Sequence, residues 1–116
     1  MKLKEIGAEF FVNDYDLNYE EVVRKVREKT QSEPQDDEVK ILKYLKSASS
    51  ESIRLSEPFD LFTRESLDYN LTEIYTDGVW EWSGLLAYYV EKYHYLVDAE
   101  FVEHMKKNNW KIPKLS

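Results

Sequence analysis

Residues 75–95 read YTDGVWEWSGLLAYYVEKYHY and hold seven of the chain's seventeen aromatic residues. Their reading decides the fold: such a density either lines a place where a ligand stacks or builds the core of a small protein. The spacing favours a core. Thr72–Thr76 and Val79–Trp82 flank Asp77-Gly78, a strong short-range signal for a two-residue hairpin turn with positive φ at both positions. That turn pairs Tyr75 with Trp80 and Glu73 with Trp82. Period-two alternation then sets Tyr75, Trp80 and Trp82 on one face, with Ile74 and Val79 on the other. Ser83 is a good N-cap for the helix that follows. On it Leu86, Tyr89, Val90 and Tyr93 form an inward stripe that Leu85 and Tyr88 widen, while Glu91 and Lys92 point out. Tyr95, Tyr88 and one of the two tryptophans are expected to stay partly exposed.

A further helix follows at once. Asp98 is its cap, Val97 and Val102 are staple partners, and Phe101, Val102 and Met105 are its buried face. Lys106 and Lys107 suit the negative end of its dipole. Pro113 rules out a longer helix.

Upstream, Asn18 with Glu21 has the capping-box pattern, and Leu17 and Val22 sit where a staple closes. Tyr19, Val22, Val23, Val26 and Thr30 then share one face of a helix ending near Lys29. A second helix starts at Gln35 or Asp36, with Asp36, Asp37 and Glu38 over its positive end and Ile41, Leu42 and Leu45 as its inner stripe. The runs at 30–37 and 47–52 read as connectors. Residues 53–71 are ambiguous: Ile53 and Leu55 can begin a short strand, and Phe59, Leu61 and Phe62 must find the core. The whole predicts one α+β domain over 1–116, mainly helical, with a hairpin at about 72–82 packed on helices.

The totals agree with one domain. The 116 residues are 42% hydrophobic with three Gly and three Pro, enough to bury a core without covalent staples. No cysteine is present, which removes disulfides, thiolate metal sites and cysteine nucleophiles. The first residues have no apolar run of signal-peptide length, and no stretch reaches the roughly 20 apolar residues a membrane span needs. A soluble cytoplasmic chain is the expectation.

Charge is uneven. The net charge is −7, and residues 31–90, with twelve acids and five bases, hold the whole excess. Direct nucleic-acid binding is disfavoured, since phosphate neutralisation needs clustered Lys and Arg. An acidic surface steers a basic partner instead. Glu57, Asp60, Glu65, Asp68 and Glu73 are the candidate contacts, because helix-dipole placement already explains the acids at 36–38.

Motifs of chemistry are missing. Glu91-Lys-Tyr-His94 has the Glu-x-x-His spacing of di-iron bundles, but those need a second copy and two more carboxylates. Glu100 and His104 form an i,i+4 pair on the next helix with an outward face available. A hydrogen-bonded or solvated His94 is the reading preferred. There is no Gly-x-Ser-x-Gly elbow and no phosphate-cradling Gly-rich loop. No catalytic residue, metal site or cofactor is therefore assigned. An aromatic pocket between the hairpin and the helix at 84–94, serving a small molecule or a regulator, is the alternative to protein binding.

The order TDGVWEWSGLLAYYVEKYH followed by DAEFVEHMKKNNW resembles small uncharacterised bacterial proteins, including immunity-like proteins of polymorphic toxin systems. In these a TDG-W-W hairpin precedes an L-x-Y-Y-V-x-x-Y helix and a closing F-V-x-H-M helix. The resemblance covers residues 74–110. It implies a cytoplasmic, non-enzymatic protein that binds and blocks a toxin, often a nuclease, and it carries over no binding residue.

Overall fold

The hairpin forms at the Asp-Gly turn, but two residues out of the expected register. In the computed structural model, which describes residues 3–11, 18–54 and 56–113, Tyr75 faces Trp82 and Thr76 faces Glu81. Asp77 is not at positive φ; Gly78 is, at 96°. The Asp77 carboxylate instead accepts from the N–H groups of Val79 and Trp80, and its own N–H donates to the Trp80 carbonyl. Side-chain acceptance by Asp closes a wider turn than the two-residue kind. A slip of two preserves the pleat, since only an odd slip turns a strand over. Tyr75, Trp80 and Trp82 therefore still share a face.

Among the described residues four strands make one sheet: β1 (Lys4–Glu5), β2 (Ser49–Ile53), β3 (Glu73–Thr76) and β4 (Trp80–Ser83), in the order β1-β4-β3-β2. Only β1 and β4 run parallel. The helices are α1 (Tyr19–Glu28), α2 (Glu38–Ser47), α3 (Gly84–Tyr93) and α4 (Ala99–Lys107), with 3-10 turns at Ala8–Phe11 and Tyr69–Thr72. The architecture is α+β.

Strand β2 corrects the connector reading of 47–52. Serines are poor strand formers, yet β3 offers an open edge, and pairing with it decides the matter. Ser49 faces Thr76 and Ile53 faces Glu73, with a bulge between Ser50 and Ser52. Short length, a bulge and exposed serines suit an edge strand. The strand ends at Ile53, where the sequence suggested one begins.

Helix starts also differ in detail. Asn18 takes the N-cap of α1 through its carbonyl, which accepts from Val22 N–H, without a side-chain cap hydrogen bond; Leu17, the staple residue, lies outside the described residues. Helix α2 begins at Glu38, later than expected, behind Asp37 at φ 61°. Glu38 is buried, accepts from Gln35 and bonds His94 Nδ1 at 2.9 Å. Its charge thus serves a tertiary contact as well as the helix end. Ser83 and Asp98 cap α3 and α4 as read, accepting from Leu85 and Glu100 N–H.

The aromatic stretch is core. Trp80, Trp82, Tyr89 and Tyr95 are buried, and Tyr75, Tyr88 and Tyr93 are half-buried. The Trp80 and Trp82 rings pack on Phe101 of α4, with centroids 4.8 and 5.2 Å away, and Trp82 Nε1 donates to the Leu45 carbonyl of α2. Phe10 stacks on Tyr89 at 4.4 Å. Two exposure expectations fail. Both tryptophans are inside, and so is Tyr95, whose hydroxyl finds Glu9 at 2.7 Å near the other end of the chain. Tyr44, absent from the stripe read for α2, is fully buried between Trp82 and Phe101.

Candidate functional site

Of the five acids singled out, one is inside. Asp60 is 0% exposed, so it does not present its charge at the surface. It sits in a narrow antiparallel turn in which Phe59 bridges Ser66, Asp60 N–H donates to the Glu65 carbonyl and Leu67 N–H to the Pro58 carbonyl. One carboxylate oxygen, Oδ1, accepts from the N–H groups of Phe62 and Thr63 at 2.8 and 3.1 Å. The other, Oδ2, accepts from the hydroxyls of Tyr88 and Tyr93, both at 2.6 Å, with Lys92 Nζ at 3.6 Å. A carboxylate has about four acceptor positions, and all four are used. Burial pushes this carboxyl up, but the hydrogen bonds from Tyr88, Tyr93, Thr63 and Phe62 outweigh it and hold Asp60 below the usual carboxylate range. Burial and the bond to Asp60 push Tyr93 up to about 12, and Tyr88 well up for the same two reasons.

Tyrosines of two further positions pin the turn. Tyr19 of α1 donates to the Leu61 carbonyl at 2.7 Å, and Leu61 N–H donates to the Tyr89 hydroxyl at 2.9 Å. The turn is thus held on a rigid base, and Glu57, Glu65 and Asp68 are exposed around it. Asp68 also accepts from Asn70 N–H. Pairing between 58 and 67 brings Glu57 and Asp68 to facing register positions one step on. Like charges so placed are unfavourable without a cation. Among the described residues, no Lys or Arg lies within ion-pair distance of Glu57, Glu65 or Asp68. Arg64, in the same turn, lies instead over the Tyr19 ring at 4.7 Å. Next to Asp68, Tyr69 is 62% exposed. Glu73 stands apart: half-buried on β3, it accepts from the Tyr75 hydroxyl at 2.9 Å.

Asp77 repeats the design of Asp60. Its Oδ1 takes Val79 and Trp80 N–H; its Oδ2 takes the Tyr44 hydroxyl at 2.6 Å and His104 Nε2 at 3.0 Å. His104 therefore faces inward, not along an outward face with Glu100, which pairs with Lys4. The acceptor positions of Asp60 are filled by four protein donors, and those of Asp77 by Val79 and Trp80 N–H and the Tyr44 hydroxyl, with His104 Nε2 against Oδ2. Among the described residues, no group of three or more His, Asp or Glu is placed to hold a metal ion. The sequence reading missed the Asp77 hub, because nothing local links residues 44, 77 and 104.

Between the hairpin and α3 lies a cleft of about 600 Å³. Leu45, Leu71 and Ala87 form its floor, with Tyr75 and Tyr88 in its walls. The Lys46–Glu91 ion pair, 2.6 Å, crosses its rim. Gly84 lets the chain close here: a Cβ there would meet the Leu71 backbone at 3.0 Å.

No protein-family model, curated protein or solved structure matches this chain.

Proposed function

We propose that this chain is a non-enzymatic, cytoplasmic binding protein of immunity type that captures a partner with a basic surface, such as a nuclease toxin. The observation that carries the reading is the turn over Asp60. Among the described residues it displays Glu57, Glu65 and Asp68 without an ion-paired Lys or Arg, and it sets the exposed Tyr69 beside them. Three carboxylates outside any ion pair on a pinned turn give a preorganised anionic surface, so little ordering entropy opposes binding. An exposed tyrosine beside them is the type of residue that anchors interfaces. The acids speed encounter with a cationic cleft, and the ring fixes the contact. The toxin-neutralising role itself rests on the resemblance.

Where a toxin domain is encoded beside this chain, the test is co-expression with it, together with affinity measured at two salt concentrations. The parent protein is expected to protect cells, and its affinity to fall with salt. The variant Glu57→Lys/Glu65→Lys, which spares the bond of Asp68 to Asn70 N–H, is expected to lose protection while keeping its melting temperature. Unchanged affinity and salt dependence in that variant would end the proposal.

The cleft between the hairpin and α3 favours a second reading, a small-molecule or regulatory module, since its volume is in the range of ligand pockets. Ala87→Leu, which narrows the floor, separates the two. It abolishes binding on the second reading and leaves partner binding intact on the first.

A further inference from the structure

A second cleft, of about 490 Å³, lies on another part of the surface, where α2 meets the segment after α4. Its lining is unlike the rest of this acidic chain: Lys40, Lys43, Lys111 and Trp110 share it with Ser47, Asn109 and Ile112. Lys40 and Lys43 are three apart on α2 and so share a face. A solvated helix face is the ordinary explanation of such lysines. Here two further observations go beyond it. First, among the described residues no carboxylate lies within ion-pair distance of Lys40, Lys43 or Lys111, whereas the next lysine along, Lys46, is paired with Glu91. Second, Trp110 is held half-buried at φ 59°. The closure of α4 accounts for its neighbour: Asn109 at φ 53° is the left-handed residue of a Schellman turn, with Trp110 N–H donating to Met105 and Asn109 N–H to Lys106. The next turn accounts for Trp110: with Asn109 and Trp110 both left-handed, Lys111 N–H donates to the Asn108 carbonyl and closes a primed turn that keeps the indole in the lining of the cleft.

We infer that this cleft binds a phosphorylated nucleoside, with the base against Trp110 and the phosphates among Lys40, Lys43 and Lys111. An aromatic ring in one cleft with three lysines is what a base joined to phosphate needs, a face for stacking and charge for the phosphates. The Lys40 ammonium now rests over the Trp110 ring, 5.6 Å from its centroid. A phosphate is a stronger partner than a ring face, so the ligand draws Lys40 away and opens the indole for stacking. A single nucleotide is favoured over a nucleic-acid strand. The cleft has the volume of one small ligand, and the net charge of −7 opposes a polyanion that extends past it. This inference is independent of the acidic turn.

The test uses the full chain with ATP, inorganic triphosphate and a short oligothymidylate, read by calorimetry and by the indole N–H signals of the three tryptophans. ATP is expected to bind at one site and to move the Trp110 signal, while Trp80 and Trp82 stay in place. Triphosphate is expected to bind about tenfold more weakly for lack of a stacking ring. Lys43→Glu/Lys111→Glu, and separately Trp110→Leu, are each expected to weaken ATP about tenfold or more, with an unchanged melting temperature. Absence of ATP binding overturns the inference, as does binding that both variants retain or that leaves Trp110 unmoved. Triphosphate as tight as ATP removes the base from the site, and a tighter oligothymidylate replaces the nucleotide by a strand; either result contradicts it.

Discussion

At the scale of single residues, the buried carboxylates do most to explain the molecule. Asp60 connects a surface turn to the middle of α3 through two tyrosine hydroxyls, and removing it leaves four donors without their acceptor. Asp60→Ala is expected to destabilise the protein by about 3 kcal/mol, and Asp60→Asn, which keeps one acceptor oxygen, by about 1–2 kcal/mol. Chemical denaturation of the two variants checks the order. The pH dependence follows from the same contacts. Tyr88 and Tyr93 have raised folded-state pKa values, so their contribution is complete below the unfolded value of about 10. It is lost as pH rises through about 12 for Tyr93. Tyrosine absorbance and circular dichroism followed together are expected to show these hydroxyls ionising as the fold is lost. Asp60 was legible as an acid in an ambiguous stretch, and its neighbours suggested a surface. Its burial was not legible, because the hydroxyls that make burial tolerable come from residues 28 and 33 positions away.

At the scale of elements, local patterns reported existence well and register poorly. The caps at Ser83 and Asp98 and the stripes of α1, α3 and α4 could be read because a helix declares itself within a few residues. The hairpin was legible, but its pairing depended on how the Asp77 carboxylate is used, and that is shared with Tyr44 and His104 from α2 and α4. Strand β2 escaped because its serines carry no strand signal; the open edge of β3 makes them a strand. Gly78 is the residue on which the observed turn depends. With φ at 96°, Gly78→Ala is expected to cost about 1–2 kcal/mol. Thermal unfolding measures it. A neutral result would mean that the turn does not hold residue 78 at positive φ.

At the scale of the whole molecule, the aromatic stretch is spent inside. Its rings pack on Phe10, Phe62 and Phe101, and its hydroxyls bind carboxylates from Glu9, Asp60 and Glu73. Charge outside is arranged as an acidic turn in one place, beside the exposed Tyr69, and as a lysine-lined cleft in another. The sequence showed the acid excess but not this segregation. The lysines at 40 and 43 and the lysine at 111 come together only when α2 and the end of α4 are packed. No helix among the described residues is long and apolar enough to cross a membrane.

The central feature of the molecule is an ionised carboxylate, Asp60, held inside the protein by tyrosines of the aromatic stretch. Carbon-13 NMR of the Asp60 carboxyl across an acid titration tests this directly. Its lowered folded-state pKa means that Asp60 contributes stability above the unfolded value of about 3.9 and loses it as pH falls through the folded one. The expected result is a carboxylate still ionised after the surface acids have protonated, with the turn lost only when Asp60 itself takes up a proton. A carboxyl that titrates with the surface acids, or above them, would contradict it.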